Sequence, residues 1–341
     1  MIPADELERM VRAVRPGWSV RRAEPVDRGH TAVHWLEVTD GGTARRVLLK
    51  ASPDHGSHGI DTERRLLAVL DRHTTIPVPR VFGGLDDHEQ LSSPYFLMEA
   101  LPGSSLPFQQ TRRLSETALE RLAHQTGRYL AELHDLPAVE AFGVLGHAAD
   151  GDAASLGSLE VREPVEDWST FLRRSFEPEL DALGDSRFDD VEAAVSGRFH
   201  SGVDDLEISR RPVLGRIDHG VHNLLLGAER AEIEAVIDWG FTLAVTPGYD
   251  LRTVEYVLSG AVLAPLEDAT DRRPLVREAM TEGYRDTRAY PEDELAAAGE
   301  LYELMAVVRS MNHLDAGLAK VPAGTEDRVA DGLRKDLDRL R

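Results

Sequence analysis

Three oxygen-bearing side chains stand close together in the chain: Asp218, Asn223 five positions on, and Asp238 fifteen further. Asp238 follows the apolar run Ala235-Val236-Ile237 and opens Asp238-Trp239-Gly240. Residue types at this spacing fit phosphoryl transfer from a nucleotide, a reaction that asks little covalent chemistry of a protein. It needs a carboxylate to orient an attacking hydroxyl and accept its proton. It also needs oxygen ligands for the magnesium that neutralises the phosphates. Asp218 suits the first task, and Asn223 with Asp238 suits the second. In an acid-rich chain Asp-x4-Asn also recurs by chance, so the surrounding elements must carry the argument.

Residues 224–226 and 233–237 read as two short apolar strands around a polar turn at 227–230, hence a hairpin. Asn223 then starts one strand and Asp238 ends the other, which sets both at the open end. Asp218 falls in the preceding loop, where catalytic groups are commonly carried. The pattern resembles the Asp-x4-Asn and Asp-Phe-Gly pair of protein kinases. It is closer to the aminoglycoside phosphotransferase and choline kinase-like family, in which Asp-Trp-Gly is common. The resemblance covers about residues 20–315. It implies the protein-kinase-like fold and phosphorylation of small-molecule hydroxyls, with ATP or GTP and Mg2+ as cofactors.

Such a site requires a lysine on an N-terminal strand, paired with a helix glutamate, to hold the phosphates. Of 39 basic residues only Lys50, Lys320 and Lys335 are lysines. Lys50 closes the apolar run Val47-Leu48-Leu49 after a Thr39-Asp40-Gly41-Gly42 turn. A chain nearly without lysine keeps one where a kinase requires it, although an edge-strand solubility residue is the competing reading. Thirteen residues on, Glu63 opens a helix over 62–70 whose Leu66, Leu67 and Leu70 share its face. Glu63 is the candidate partner of Lys50. It would also be favoured as a first-turn acid, with Asp61 as the N-cap.

Other stretches extend the resemblance. Ile76-Pro77-Val78-Pro79 resembles the family's entry to the next strand, and Pro94 to Glu99 reads as a strand. Ala100-Leu101-Pro102-Gly103 then resembles the hinge whose backbone holds the adenine, which implicates Glu99 and Leu101. The phosphate-covering loop Asp27-Arg28-Gly29-His30-Thr31-Ala32 has a single glycine where protein kinases have three. Gly29 and Thr31 are the candidate nucleotide contacts there. Thr246-Pro247-Gly248-Tyr249-Asp250-Leu251 resembles a family element whose last Asp is an anchor, so Asp250 reads as structural. No Ala-Pro-Glu segment is visible, which places a protein Ser/Thr kinase third.

With 341 residues, more than one core is expected. Strand signals fill the first 100 residues, and helical periodicity dominates from Ser115. Leu119, Leu122, Ala123, Thr126, Leu130 and Leu133 form one helical stripe. Further helices are expected over 168–183, 275–284 and 295–313, and an exposed loop over 146–157. The implied fold class is α+β: a small antiparallel-sheet lobe with one main helix, then a larger, mainly helical lobe. Its expected domains are a nucleotide-binding lobe at 1–99, a hinge at 100–103 and a helical lobe at 104–341. Trp168 and the helices after Leu275 are expected to wall the substrate.

The net charge of −21 argues against binding nucleic acid. An acidic cleft for a cationic substrate is one reading of that charge. Adaptation to high salt is the other, favoured because the acids are spread along the chain. No apolar run could span a membrane, no signal peptide is visible, and there is no cysteine for disulfides or thiolate metal sites. A cytoplasmic protein with a small-molecule partner is expected. The His55/His58 and His219/His222 pairs lack the helical flanks of a zinc site and read as loop residues.

The catalytic loop departs from the family. Arg216-Ile217-Asp218 replaces His-Gly-Asp, and Gly220 and His222 exchange the His and Gly of Asp-x-His-x-Gly-Asn. A permanently charged Arg216 must find a carboxylate, with Asp250 and Asp238 as candidates, or solvent. Two functions therefore stand: a small-molecule kinase, or a catalytically silent nucleotide-binding regulatory protein on the same fold. Retention of Lys50, Asp218, Asn223 and Asp238 together favours the kinase.

Overall fold

The computed structural model describes residues 2–26, 31–52, 59–148, 152–208, 210–266, 270–314 and 324–340. The chain divides into two compact units. The first comprises 1–103, 145–160 and 234–241, and the second comprises 104–144, 161–233 and 242–341. The division is thus not a single cut after the 100–103 segment. Two later stretches return to the first unit, one of them carrying Asp238-Trp239-Gly240.

In the first unit α1 (Ala4–Val14) precedes β1 (Trp18–Val26), β2 (Ala32–Asp40) and β3 (Thr43–Ala51). Then come α2 (Ile60–His73), β4 (Val81–Leu85) and β5 (Tyr95–Glu99). The five strands form one antiparallel sheet in the order β1-β2-β3-β5-β4. A two-residue turn, with φ 55° at Gly41 and 92° at Gly42, joins β2 to β3 and sets their register. Alternation along β3 sends Val47, Leu49 and Ala51 into the core built with Leu7, Met10 and Val11 of α1. Lys50 consequently points to the opposite face. It sits on the central strand, opposite Val33 on β2 and Phe96 on β5, which removes the edge-strand reading.

The second unit is mainly helical. It contains α3 (Glu116–Asp135), capped by Ser115, whose Oγ accepts from Ala118 N–H at 3.2 Å. Next in the chain are β6 (Phe142–His147), β7 (Leu159–Val165), α4 (Trp168–Gly184), α5 (Asp189–Asp204) and β8 (Val213–Gly215). The strands β9 (Leu224–Leu226) and β10 (Ile233–Val236) follow, and the division between units passes through β10. β11 (Leu243–Val245), α6 (Pro247–Leu258), α7 (Arg273–Arg285), α8 (Glu292–Asn312) and α9 (Thr325–Arg339) complete the chain. β11 pairs antiparallel with β8.

Trp168 belongs to the core of this unit rather than to a substrate wall. It is buried against Phe171 and Tyr249, and its Nε1–H donates to Tyr302 Oη at 2.9 Å. Residues 146–157 are not simply an exposed loop, because β6 runs to His147 and a short helical turn begins at Leu156.

Candidate functional site

The first unit gathers three of the candidate residues. Lys50 Nζ lies 2.7 Å from Glu63 Oε2 and 3.0 Å from Asp238 Oδ1. The Lys50 and Glu63 side chains are only 9% and 2% exposed, while that of Asp238 is 57% exposed. Burial disfavours the Lys50 ammonium. The charges and hydrogen bonds of Glu63 and Asp238 outweigh it, so its pKa is raised and the charge is kept.

Glu63 has a second partner. Its Oε1 accepts from the backbone N–H of Trp239 at 3.1 Å, tying α2 to the Asp-Trp-Gly turn. Trp239 is itself buried, its Nε1–H donating to the Val236 carbonyl at 3.0 Å. Asp238 adopts φ 60°, the left-handed region that few non-glycine residues visit. Asp61 is not the N-cap of α2. Gly59 holds that position with φ 68°, and the Asp61 carboxylate instead accepts from Thr62 N–H and pairs with His147 Nε2 at 2.8 Å.

The second unit holds the other candidates in one loop. After β8 the chain runs through Arg216 to Gly220 and into a 3-10 turn, Val221–Asn223. Asn223 is buried, and its Nδ2 donates to both the backbone carbonyl and the Oδ2 of Asp218, each at 3.0 Å. The other carboxylate oxygen of Asp218, Oδ1, lies 3.3 Å from His222 Nε2. Asp218 remains half-exposed, its side chain 47% accessible. Burial alone would push its pKa up. The His222 hydrogen bond and charge, the Arg216 charge and the Asn223 hydrogen bond prevail and bring it down to about 2.

His219 and Arg216 are buried behind this loop. Burial and the Arg216 charge push His219 down to about 3, so it is a neutral imidazole, with Nε2 3.1 Å from Thr126 Oγ1. Arg216, 1% exposed, has not taken the solvent option. Asp250 is fully buried in the first turn of α6. Its Oδ2 meets His134 Nε2 at 3.0 Å, and His134 Nδ1 meets Tyr284 Oη at 2.9 Å.

The remaining candidates are placed as follows. Glu99 ends β5, and its N–H donates to the Arg80 carbonyl at 2.8 Å. Leu101 and Thr31 are half-buried. Gly29 lies outside the described residues, as do His55 and His58. The sequence reading missed the contacts of His222 with Asp218 and of Trp239 with Glu63. The first had a signal, since residues four apart in a tight turn can meet; the second, a backbone donor, had none.

Lys50, Glu63 and Asp238 thus present an anchored cation beside an exposed carboxylate in one unit. A carboxylate braced by an amide stands in the other. Taken separately, each unit offers a hard oxygen donor: the Asn223 amide oxygen in the second, since its Nδ2 is turned to Asp218, and Asp238 Oδ2 in the first.

Comparison with known proteins agrees with the fold. The wild-type aminoglycoside 2'-phosphotransferase-IIIa, solved as its GDP complex, superposes with TM-score 0.61 at 14% identity, over 100% of each chain. A thermostable mutant of aminoglycoside phosphotransferase APH(4)-Ia, solved with ADP and hygromycin B, gives 0.58 at 15% identity, over 96% of this chain and 98% of that one. At such identities the likeness establishes the two-lobed α+β kinase-like fold. A sequence model of the phosphotransferase enzyme family matches residues 22–295, and the chain belongs to that family. A curated relative is the protein named probable acyl-CoA dehydrogenase IBR3 of Arabidopsis thaliana, 22% identical over 287 residues and 79% of this chain. The chain spans only 30% of that relative's length.

Proposed function

We propose that this phosphotransferase moves the γ-phosphoryl group of ATP or GTP to a hydroxyl of a small molecule: an amino sugar, an amino alcohol, a sugar or a related metabolite. The observation that carries this reading is the charged Lys50, buried between Glu63 and Asp238. A buried lysine bracketed by two carboxylates contributes little net stability, because desolvation consumes most of the Coulomb gain. It has a purpose where phosphate oxygens must be met.

In this reading Lys50 holds the phosphates and Glu63 keeps it in place. Gly29, Thr31, Glu99 and Leu101 contact the nucleotide, within a nucleotide-binding lobe closed by the 100–103 hinge. Asp218 orients the acceptor hydroxyl and receives its proton. Asn223 and Asp238 would hold Mg2+, which when bound neutralises phosphate charge. A carboxyl held at about 2 is a weak base. In a loose transfer the hydroxyl proton leaves late, so orientation matters more than basicity. Among the described residues no helix is long and apolar enough to cross a membrane.

The test is a magnesium-dependent screen reading nucleoside diphosphate release, with ATP and GTP in separate arms. Amino sugars, amino alcohols and sugars are the main acceptors. Hydroxylated acyl thioesters form a further arm, prompted by the acyl-CoA chemistry in the curated relative's name. Diphosphate release that an acceptor stimulates supports the kinase. Nucleotide binding without release in any arm supports the silent regulatory reading, which Arg216 in place of the family's histidine and the single glycine of the 27–32 loop suggest.

A further inference from the structure

The exchange of histidine and glycine in the catalytic loop has a geometric consequence. The His222 ring lies over Gly220, where a Cβ would come within 2.5 Å of ring atoms Cε1 and Nδ1. Real Cβ atoms do not approach so closely, so this ring position requires glycine at 220. Phe108 meets the same ring edge-on, with centroids 5.8 Å apart and planes at 89°. Held by these two contacts, His222 directs Nε2 at Asp218 Oδ1, while Asn223 holds Oδ2. A carboxylate only accepts, so Nε2 carries the proton in this contact. Each oxygen of Asp218 therefore meets its own donor, and the carboxylate plane is fixed from two sides.

We infer that His222 is a positioning residue for phosphoryl transfer, fixing the Asp218 carboxylate in the orientation that receives the acceptor hydroxyl. The inference rests on the assignment of Asp218 made above. Asn223 alone leaves Oδ1 without a fixed partner and the carboxylate with torsional freedom. Misplacing a catalytic group by about 1 Å can cost on the order of 10²-fold in rate. The position of the His222 ring thus depends on the glycine at 220.

The experiment uses MgATP with water as acceptor, following ADP release by the wild type, D218N, H222A and H222Q. H222A is expected to lower kcat at least about tenfold while KM for MgATP stays within about twofold. H222Q, whose amide N–H can reach the carboxylate, is expected to recover much of the loss. A kcat for H222A close to that of the wild type overturns the inference. So does a loss that H222Q fails to rescue, or one matched by a rise in KM, since either marks a merely structural residue. An inactive wild type, or a D218N variant as fast as the wild type, overturns the assignment of Asp218 and the inference with it. The two failures are therefore distinct. Imidazole 15N spectra provide a readout apart from turnover: the His222 ring signals should shift in D218N, and unmoved signals overturn the contact.

Discussion

Two groups of polar residues define the candidate chemistry, and they are held by different means. Lys50, Glu63 and Asp238 come from a strand, a helix and a turn, with Lys50 and Asp238 separated by 188 positions. Lys50 and Glu63 pair where water is largely excluded, with the more exposed Asp238 beside them. Asp218, His222 and Asn223 come from six consecutive residues and are fixed by contacts within one turn. The first group exists only once the sheet and α2 have formed. The second is nearly complete as soon as its loop closes. A non-local ionic group should therefore report on stability when disturbed, and a local loop group on rate.

The largest effect should fall on the loop. Asp218→Asn keeps the size of the side chain but replaces an oxygen that orients the hydroxyl and finally takes its proton with an N–H donor, and losses of orientation and proton acceptance run to about 10²–10⁴-fold. Phosphate transfer should drop by that factor, while nucleotide affinity in calorimetry stays near the wild-type value. Equal losses of rate and affinity would break the comparison, because the loop would then be binding nucleotide. Next comes Lys50→Met. Removing one partner of a buried pair costs about 3–5 kcal/mol, since Glu63 would keep its charge in a site 2% exposed. The Lys50–Asp238 contact adds little to this, because Asp238 is mostly solvated. The urea midpoint should fall steeply and nucleotide binding should weaken. A Lys50→Met protein as stable as the wild type would show that the ionic group is not integral to the fold.

Acid should separate two neighbours within the loop. His219 is driven down to about 3 by burial and the Arg216 charge, whereas an unfolded histidine protonates near 6.5. The unfolded state therefore takes up the proton first. Its contribution to stability is intact above pH 6.5 and is lost as pH falls from there toward 3, at about 1.4 kcal/mol per pH unit. Asp218, depressed to about 2, loses its contribution only below the ordinary carboxylate range, as pH falls from about 4 toward 2. The difference between wild type and His219→Asn in urea titrations at pH 7, 6 and 5 isolates the histidine. A constant difference across that range would contradict a neutral buried imidazole.

What the sequence revealed follows the same local and non-local line. The spacing of Asp218, Asn223 and Asp238 was readable because the first two meet within one turn. Lys50 was readable through composition, since scarcity made its position conspicuous. The three-part ionic group was readable only as a Lys50–Glu63 pair. That Asp238 closes it depends on residues 234–241 returning to the first unit, which no local pattern encodes. Trp168 was misplaced because a tryptophan on an amphipathic helix looks alike whether it faces a core or a ligand. The α1 helix is absent from the sequence reading, although Leu7, Met10 and Val11 carry helical spacing.

The smallest effect tests how closely the ionic group depends on backbone geometry. Gly59 caps α2 with φ 68°, and a Cβ there would meet the Gly240 carbonyl oxygen at 2.8 Å. Two costs coincide: the left-handed conformation and the close approach to the backbone after Asp238-Trp239. Gly59→Ala should therefore destabilise by about 1–3 kcal/mol, read as a shift in the urea midpoint. The same clash pushes the start of α2 away from the turn whose Trp239 N–H is held by Glu63, four residues along the helix. Nucleotide affinity should weaken modestly in parallel, while the Asp218 loop, in the other unit, keeps its kcat at saturating nucleotide. A fall in kcat with unchanged affinity would reverse the division of labour between the two groups, because backbone strain beside Lys50 would then be acting on the chemical step.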